Sequence, residues 1–513
     1  MAELRSRIRR GSPARPPGVR ASVAAVAVGV LVACSLAGCS SPTEVGDLSW
    51  GDCGSDVPAP ADATVSHACG ELVVPRDWAR PDDGRTFTLR LLRVRSSEQH
   101  DRIGSLLINP GGPGGSGIDI AAGVSSGQSF ASEELLERFD VIGLDLRGTG
   151  RSEPITCITD AQLDRESALV ADPIERVDVD ARLALQKEIA ADCAKTYGED
   201  LKLFSTRQIA RDLDALRAAL GEAKLSYLGV SYGTYLGAVY AQLFPDNVRA
   251  MVLDGAIDPT VGYGTVAAQE SQVRGYEHAF DEFAAWCERS DCPLSPDPRT
   301  QVTAILEQAG TSPAAATDGR EATPSVVLSA IAGGLRAPQW QAMAEALDDV
   351  RDGDPSAVFQ WADVIAERDT TGHYGPFYRA QRATLCADTG DRPSPERVLE
   401  IQREWRGRHP LSGGVLAMGL LACASWPAPA DTAPATPPTG LPPTLVIGSR
   451  HDPATPYADT AKLAAFLGDG NVVTWEGQGH VALGRSLCVT EVANAYLTDL
   501  TLPEKGLVCA ADE

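Results

Sequence analysis

The sequence predicts an α/β protein: a mostly parallel central sheet flanked by helices, with a helical cap inserted between its late strands. Three observations carry this. Short apolar strands alternate with loops and helices through the first half of the chain; from Val261 the pattern becomes helical only; after a proline-rich stretch the alternation resumes. At 513 residues, 43% hydrophobic and 22% charged, the chain is globular in composition and long enough for a large core.

The elements follow in order. "CGELVVPRDWARPDDGRTFTLRLLRVRS" reads as two strands around a "DDG" turn, with Phe87, Leu89, Leu91 and Val94 along the second. "SLLINPGGPGGSGIDIAAGV" is a strand ending near Ile108, a glycine-rich loop and a helix start, and "FDVIGLDLRGTGRS" is a strand ending at Asp145. In "STRQIARDLDALRAALG" the residues Ile209, Leu213, Leu216 and Leu220 have helical spacing, Ser205 or Thr206 caps the start, and Gly221 stops the helix. "KLSYLGVS" is a strand that runs into Ser231, "YGTYLGAVYAQLFP" a buried helix stopped by Pro245, and "VRAMVLDG" the next strand. The later helices include "VRGYEHAFDEFAAWC", which places Val273, Tyr276, Phe280, Phe283 and Cys287 on one face. The stretch "WPAPADTAPATPPTGLPP" breaks regular structure, "TLVIGSRHD" and "NVVTWEGQGH" resume the strands, and a helix starts near Pro456. The resulting division is 39–260 for the first part of the core, 261–440 for the cap and linker, and 441–513 for the rest of the core. Such an insertion is expected over the carboxyl ends of the strands, where these sheets bind ligands.

Residues 1–38 are set apart from the fold. Arg5, Arg7, Arg9, Arg10, Arg15 and Arg20 precede the uncharged apolar run "ASVAAVAVGVLVACSLAGC", the pattern of an export signal. "LAGC" resembles a bacterial lipobox, which makes Cys39 the expected lipidation site and the membrane a partner through that anchor; plain secretion and a retained signal anchor are the alternatives. The chain carries a net charge of −24, and loss of the basic leader makes the remainder more acidic. That charge argues against nucleic acid as a partner. Apart from Cys34 and Cys39, the cysteines are Cys53, Cys69, Cys157, Cys193, Cys287, Cys292, Cys386, Cys423, Cys488 and Cys509, an even set without a CxxC pair. Export and even number point to disulfides, and short loops favour pairing of sequence neighbours, although sequence does not prove that connectivity.

The chemistry centres on Ser231 in "LGVSYGTYLG". GxSxG arises by chance in a chain with 49 glycines, so its context decides. A serine hydroxyl needs a base to take its proton and donors for the oxyanion it creates. The strand before and helix after Ser231 suit a sharp elbow, with Gly229 and Gly233 where side chains would collide with neighbouring elements. An acid and then a histidine are expected downstream in chain order. Of seven histidines, His67 and His100 precede the serine, and His278, His373 and His409 fall in the cap. His480, in the loop "GQGHVA", is the candidate base, with His451 read as structural. Asp452, after the strand "TLVIGSRH", is the candidate acid, which would fix the imidazole tautomer; Asp254, at the end of "VLDG", is its rival. The backbone N–H of Tyr232 is one expected oxyanion donor, and Gly112 in "NPGGPGGSG" the other, with Gly111 close behind. The glycine loop lacks the lysine of a P-loop and the spacing of a dinucleotide fingerprint. "DLRGTGRS" is read as scaffold, with Asp145 or Arg147 bracing neighbouring loops. The chemistry requires no metal or organic cofactor.

Together, "NPGGPGGSG", "DVIGLDLRGTGRS", "LGVSYGTYLG", "VLDGAIDP", "LCAD", "CASWP", "HDPATP" and "GQGH" resemble the exported α/β hydrolases of the tripeptidyl aminopeptidase group, related to proline iminopeptidases, from about Cys69 to Cys509. The resemblance implies the α/β-hydrolase fold, Ser231, Asp452 and His480 as a triad, and hydrolysis of short peptides from a free N-terminus. Relatives described as carboxylesterases keep small esters or envelope lipids open as substrates, and a non-catalytic surface protein is a third reading. Two positions depart from the pattern: Pro110 stands where proline iminopeptidases commonly have His, and Val481 follows His480 where many relatives have Gly. An aminopeptidase must also bind an ammonium group. Glu270, Glu277, Glu282 and Asp388 are the carboxylates considered for it, each with a solvated helical face as the simpler reading.

Overall fold

The computed structural model describes residues 46, 48–173, 176–433, 435–468 and 470–511. The leader 1–38 and Cys39 lie outside the described residues. Ten strands form one sheet: β1 (Ser49–Gly51), β2 (Val65–Pro75), β3 (Thr86–Ser96), β4 (Gly104–Asn109), β5 (Phe139–Leu144), β6 (Leu225–Val230), β7 (Val248–Asp254), β8 (Leu445–His451), β9 (Asn471–Gln478) and β10 (Leu507–Cys509). Their order is β1-β2-β3-β5-β4-β6-β7-β8-β9-β10. The pairs from β1 to β5 are antiparallel, and those from β5 through β4 to β10 are parallel.

Alternation along the strands separates two cores. Leu89, Leu91, Leu107, Tyr227 and Val446 face one layer of helices, while Leu92, Leu106, Ile108, Leu228, Leu445 and Ile447 face the other. The all-buried strand β6 leads directly into the helix Tyr232–Leu243, whose small residues let it pack between the sheet and the helix Thr206–Ala219. Ser205 caps that second helix by accepting from Gln208 N, as its sequence suggests.

Between β7 and β8 the chain is helical, from Val266–Arg289 through Pro324–Arg336 and Phe377–Asp388 to Gly413–Gly419. This segment has a core of its own, which includes Phe280, Phe283, Val327, Leu335 and Leu347. Two helices outside it, Asp160–Ala168 and Arg176–Tyr197, have no counterpart in the sequence reading. The longer buries Val179, Leu185, Ile189 and Cys193, too sparse a stripe to register as periodic. β5 ends at Leu144, one residue early, because Asp145 turns into the following loop.

Five disulfides join Cys53 to Cys69, Cys157 to Cys193, Cys287 to Cys292, Cys386 to Cys423 and Cys488 to Cys509, each pairing sequence neighbours as expected. Among the described residues no helix is long and apolar enough to cross a membrane.

Candidate active site

Ser231 sits where β6 becomes a helix, at φ 57° and ψ −124°. That conformation is costly for any residue with a Cβ. The surrounding packing holds it. Ser231 N–H donates to Asp254 O at 2.9 Å, and Thr234 N–H and Oγ1 donate to Ser231 O at 2.8 and 2.7 Å. The flanking glycines are dictated by contact: a Cβ on Gly229 would fall 2.7 Å from Gly233 O, and one on Gly233 would fall 2.8 Å from Asn109 Oδ1.

His480 lies in the loop after β9, and its Nδ1 is 2.9 Å from both carboxylate oxygens of Asp452, which follows β8 directly. Asp452 is fully enclosed and accepts further bonds from Ala454 N, Thr455 N and Thr455 Oγ1. Burial alone would raise its pKa, but the His480 ring and these donors hold the carboxyl below the usual range. Thr455 Oγ1 also lies 3.2 Å from His480 Nδ1. His480 Nε2 is buried and makes no hydrogen bond among the described residues. The ring rests against Gly255, where a Cβ would stand 3.4 Å from His480 Cε1. Since Ser231 is bonded to the adjoining Asp254, the 254–255 backbone joins the elbow to the imidazole.

The rival acid has a different position. Among the described residues Asp254 makes no hydrogen bond to the His480 ring; its Oδ2 accepts from Ala482 N and Leu483 N, both at 2.8 Å. Burial, with Asp452 nearby, pushes its pKa up to about 7. Val481, between His480 and these residues, has φ 72°, a left-handed backbone that glycine adopts more easily.

The glycine-rich loop approaches the elbow from β4. A Cβ on Gly111 would lie 2.9 Å from Ser231 Cβ and 3.0 Å from Tyr232 N. Gly111 N–H donates to Asn109 Oδ1 at 3.0 Å and is engaged, whereas Gly112 N–H has no acceptor among the described residues. Tyr232 N–H is at the first turn of its helix, where no intrahelical acceptor exists. The Tyr232 hydroxyl is 2.6 Å from Thr206 Oγ1, and Thr206 in turn donates to Asp388, which fixes the side chain beneath the elbow. Asp145 braces the loop from behind, accepting from Ser116 Oγ, Ile118 N and Arg151 N. Arg147 is buried in a bidentate pair with Asp212.

The helical insertion supplies parts that sequence reasoning missed. Arg336 O, at the end of the helix Pro324–Arg336, accepts from His480 N at 3.0 Å and from Arg485 at 2.9 Å. Phe377 packs over the glycine loop: its ring would meet a Cβ on Gly112, and its carbonyl one on Gly114. Glu367 accepts from Phe377 N at 3.2 Å. It is solvent-exposed with no ion-pair partner among the described residues, and the packing around its carboxyl, with Asp119 nearby, raises its pKa. The four carboxylates considered from sequence are otherwise engaged. Glu270 pairs with Arg274 and Arg408, Glu277 with Arg299 and Ser412, and Asp388 with Thr206, while Glu282 faces His451.

Comparison with known proteins shows the family of the chain. The family defined by the alpha/beta hydrolase fold matches residues 104–484. The chain is 35% identical to serine protease Hip1 of Mycobacterium tuberculosis, over 98% of this chain and 99% of that protein. It is 32% identical to the tripeptidyl aminopeptidase of Streptomyces coelicolor, over 90% and 86% of the two chains. With carboxylesterase B of M. tuberculosis the identity is 33%, over 92% and 91%. The elbow, the glycine loop and the acid and histidine loops all fall within the matched residues, and the chain belongs to the α/β hydrolase family.

Proposed function

We propose that this chain is an exported serine hydrolase that releases short peptides, of the tripeptidyl type, from free N-termini. The observation that carries the chemistry is the His480 ring, anchored at Nδ1 by both oxygens of Asp452 and set against Gly255 beside the Ser231 elbow. In the proposed cycle His480 Nε2 takes the Ser231 proton as Oγ attacks the carbonyl, and Asp452 stabilises the imidazolium. The N–H groups of Tyr232 and Gly112 hold the oxyanion. Collapse of the tetrahedral intermediate transfers the proton from His480 to the leaving amine, which leaves an acyl-Ser231. Water, deprotonated by His480, then attacks the acyl carbon, and as the bond to Ser231 Oγ breaks His480 returns the proton to that oxygen and the acid is freed.

The aminopeptidase part rests on the relatives named above and on Glu367, an acid without an ion-pair partner that borders the glycine loop through Phe377. Carboxylesterase B among the relatives favours small esters as the second reading. For location, we infer from the leader, Cys39 and the five disulfides a lipoprotein on the outer side of the membrane.

Fluorophosphonate labelling tests the nucleophile: wild-type protein labels and S231A does not, and an unlabelled wild type overturns the serine-hydrolase reading. Free and N-acetylated tripeptide amides, run beside short acyl esters, test the substrate. Loss of cleavage on acetylation supports the aminopeptidase, and equal cleavage of both peptides overturns it.

A further inference from the structure

A second cluster of ligating side chains spans the helical insertion and the sheet. His278 and Glu282 are four residues apart on the helix Val266–Arg289 and share one face. His451 is the last residue of β8. Its Nδ1 lies 3.2 Å from His278 Nε2 and 3.9 Å from Glu282 Oε1, and the two rings are stacked with centroids 5.3 Å apart. One ligand atom from each residue lies within 4.8 Å of the other two. We propose that His278, Glu282 and His451 form a binding site for a divalent ion of the zinc class, which ties the first helix of the insertion to the strand end that carries Asp452.

The donor set and its spacing carry the argument. Two nitrogens on a tetrahedral zinc ion, each about 2.0–2.1 Å from the metal, stand roughly 3.3 Å apart. The imidazole nitrogens here already have that separation. Glu282 Oε1 stands 3.9 Å from His451 Nδ1, and the three ligand atoms lie within 4.8 Å of one another, so the carboxylate on its flexible stem completes the third corner by moving toward both rings. Two imidazoles and one carboxylate suit zinc, whereas magnesium and calcium prefer oxygen ligands throughout. Each imidazole can carry its proton on the nitrogen away from its neighbour, which leaves both facing nitrogens able to ligate with no net proton release.

Access and neighbours are compatible with an ion. His278 is exposed and the other two residues are partly so, which leaves solvent a path to a fourth ligand position. The adjacent cation, Arg450, is held by Glu476 at 2.8 Å and lies over the Tyr457 ring, so its charge is committed elsewhere. The three ligands are not the residues of the proposed hydrolytic cycle, although His451 directly precedes Asp452, and the test does not depend on turnover.

Calorimetric titration of the chelator-treated full chain with zinc chloride tests the proposal, with cobalt(II) chloride as a spectroscopic probe. The expected result is one zinc ion per chain, a visible band of four-coordinate cobalt, and a higher melting temperature with zinc present. H278A and H451Q should each weaken binding by about tenfold or more, and H100A, which alters an exposed histidine outside the cluster, should leave it unchanged. The absence of saturable binding, or equal binding by wild type, H278A and H451Q, overturns it. H278A changes an exposed side chain on a helix, so it keeps the test decisive where H451Q folds poorly.

Discussion

Asp452 presents both carboxylate oxygens to His480 Nδ1 at 2.9 Å, while Asp254, at the end of the adjoining strand β7, grips the backbone two and three residues beyond the same histidine. One carboxylate orients the ring and the other holds the loop. Replacing them should have different consequences. D452N keeps the shape but reverses the hydrogen-bond preference at Nδ1, and kcat should fall by about three to four orders of magnitude. D254N leaves an oxygen to accept from Ala482 and Leu483, so it should retain most activity. Comparable losses in the two variants would contradict this division.

Asp254 also makes a pH prediction. Its folded pKa, about 7, stands above the ordinary carboxylate value of 3.8, so between these limits the folded state holds more protons than the unfolded state. Its contribution to stability is therefore complete below about pH 4 and declines as pH rises through 7. A shift of that size corresponds to on the order of 4 kcal/mol across the window. The check is urea denaturation at pH 5 and pH 7.5: wild type should lose stability relative to D254N, whose side chain does not titrate. A constant difference between the two proteins would remove Asp254 as the source.

These roles differ in how far the sequence could reveal them. Ser231 was legible because two glycines and a strand-to-helix change are local signals; chain order led to His480, and only the short separation from that histidine favoured Asp452 over Asp254, which satisfies the same order. The disulfides followed from proximity in sequence. The loop clamp at Asp254 was not legible, since its acceptors are backbone amides and any residue at 482 and 483 supplies those. Arg336 escaped for the same reason, because its contribution is a carbonyl. Thr206 and Asp388 meet across 182 residues with no periodic pattern to join them. Glu367 carried no motif or spacing that would single it out, and only the fold brings it to Phe377.

The backbone of Ser231 predicts a trade between stability and function. At φ 57° and ψ −124° an alanine carries the same strain as the serine, whereas glycine does not. Relief is worth about 1–3 kcal/mol, of which the greater freedom of glycine in the unfolded chain returns about 0.4–1 kcal/mol. S231G should be more stable than S231A, and both should be inactive. Chemical denaturation decides, and S231G less stable than S231A would mean that the elbow is unstrained.

Gly111 allows a sharper packing test. A methyl group there would sit 2.5 Å from Val230 O, whereas one on Gly127 would meet nothing within 4 Å. Both residues have positive φ, 82° and 67°, so backbone strain is common to the two and collision is not. G127A should cost roughly 1 kcal/mol. G111A should cost a further 1–3 kcal/mol, by a rough overpacking estimate, and should lower kcat by about a hundredfold because the glycine loop is displaced from Tyr232. Equal stability and activity in the two variants would show that the loop does not need its close approach to the elbow.

The last prediction separates peptide from ester. If Glu367 receives a substrate ammonium, its charge matters only for substrates that carry one. A hydrogen bond to a charged group contributes about 1.5–3 kcal/mol, so E367Q should raise KM for a free tripeptide amide by about tenfold or more. Its kinetics with a neutral acyl ester should match wild type, because Gln keeps an oxygen to accept from Phe377 N. The raised pKa of Glu367 adds a second readout: in wild type the preference for the free amine should weaken as pH falls and the carboxyl takes up a proton, at a higher pH than an ordinary glutamate would require. In E367Q that pH dependence should disappear. A loss shared equally by peptide and ester would instead assign Glu367 to the support of Phe377 and the glycine loop.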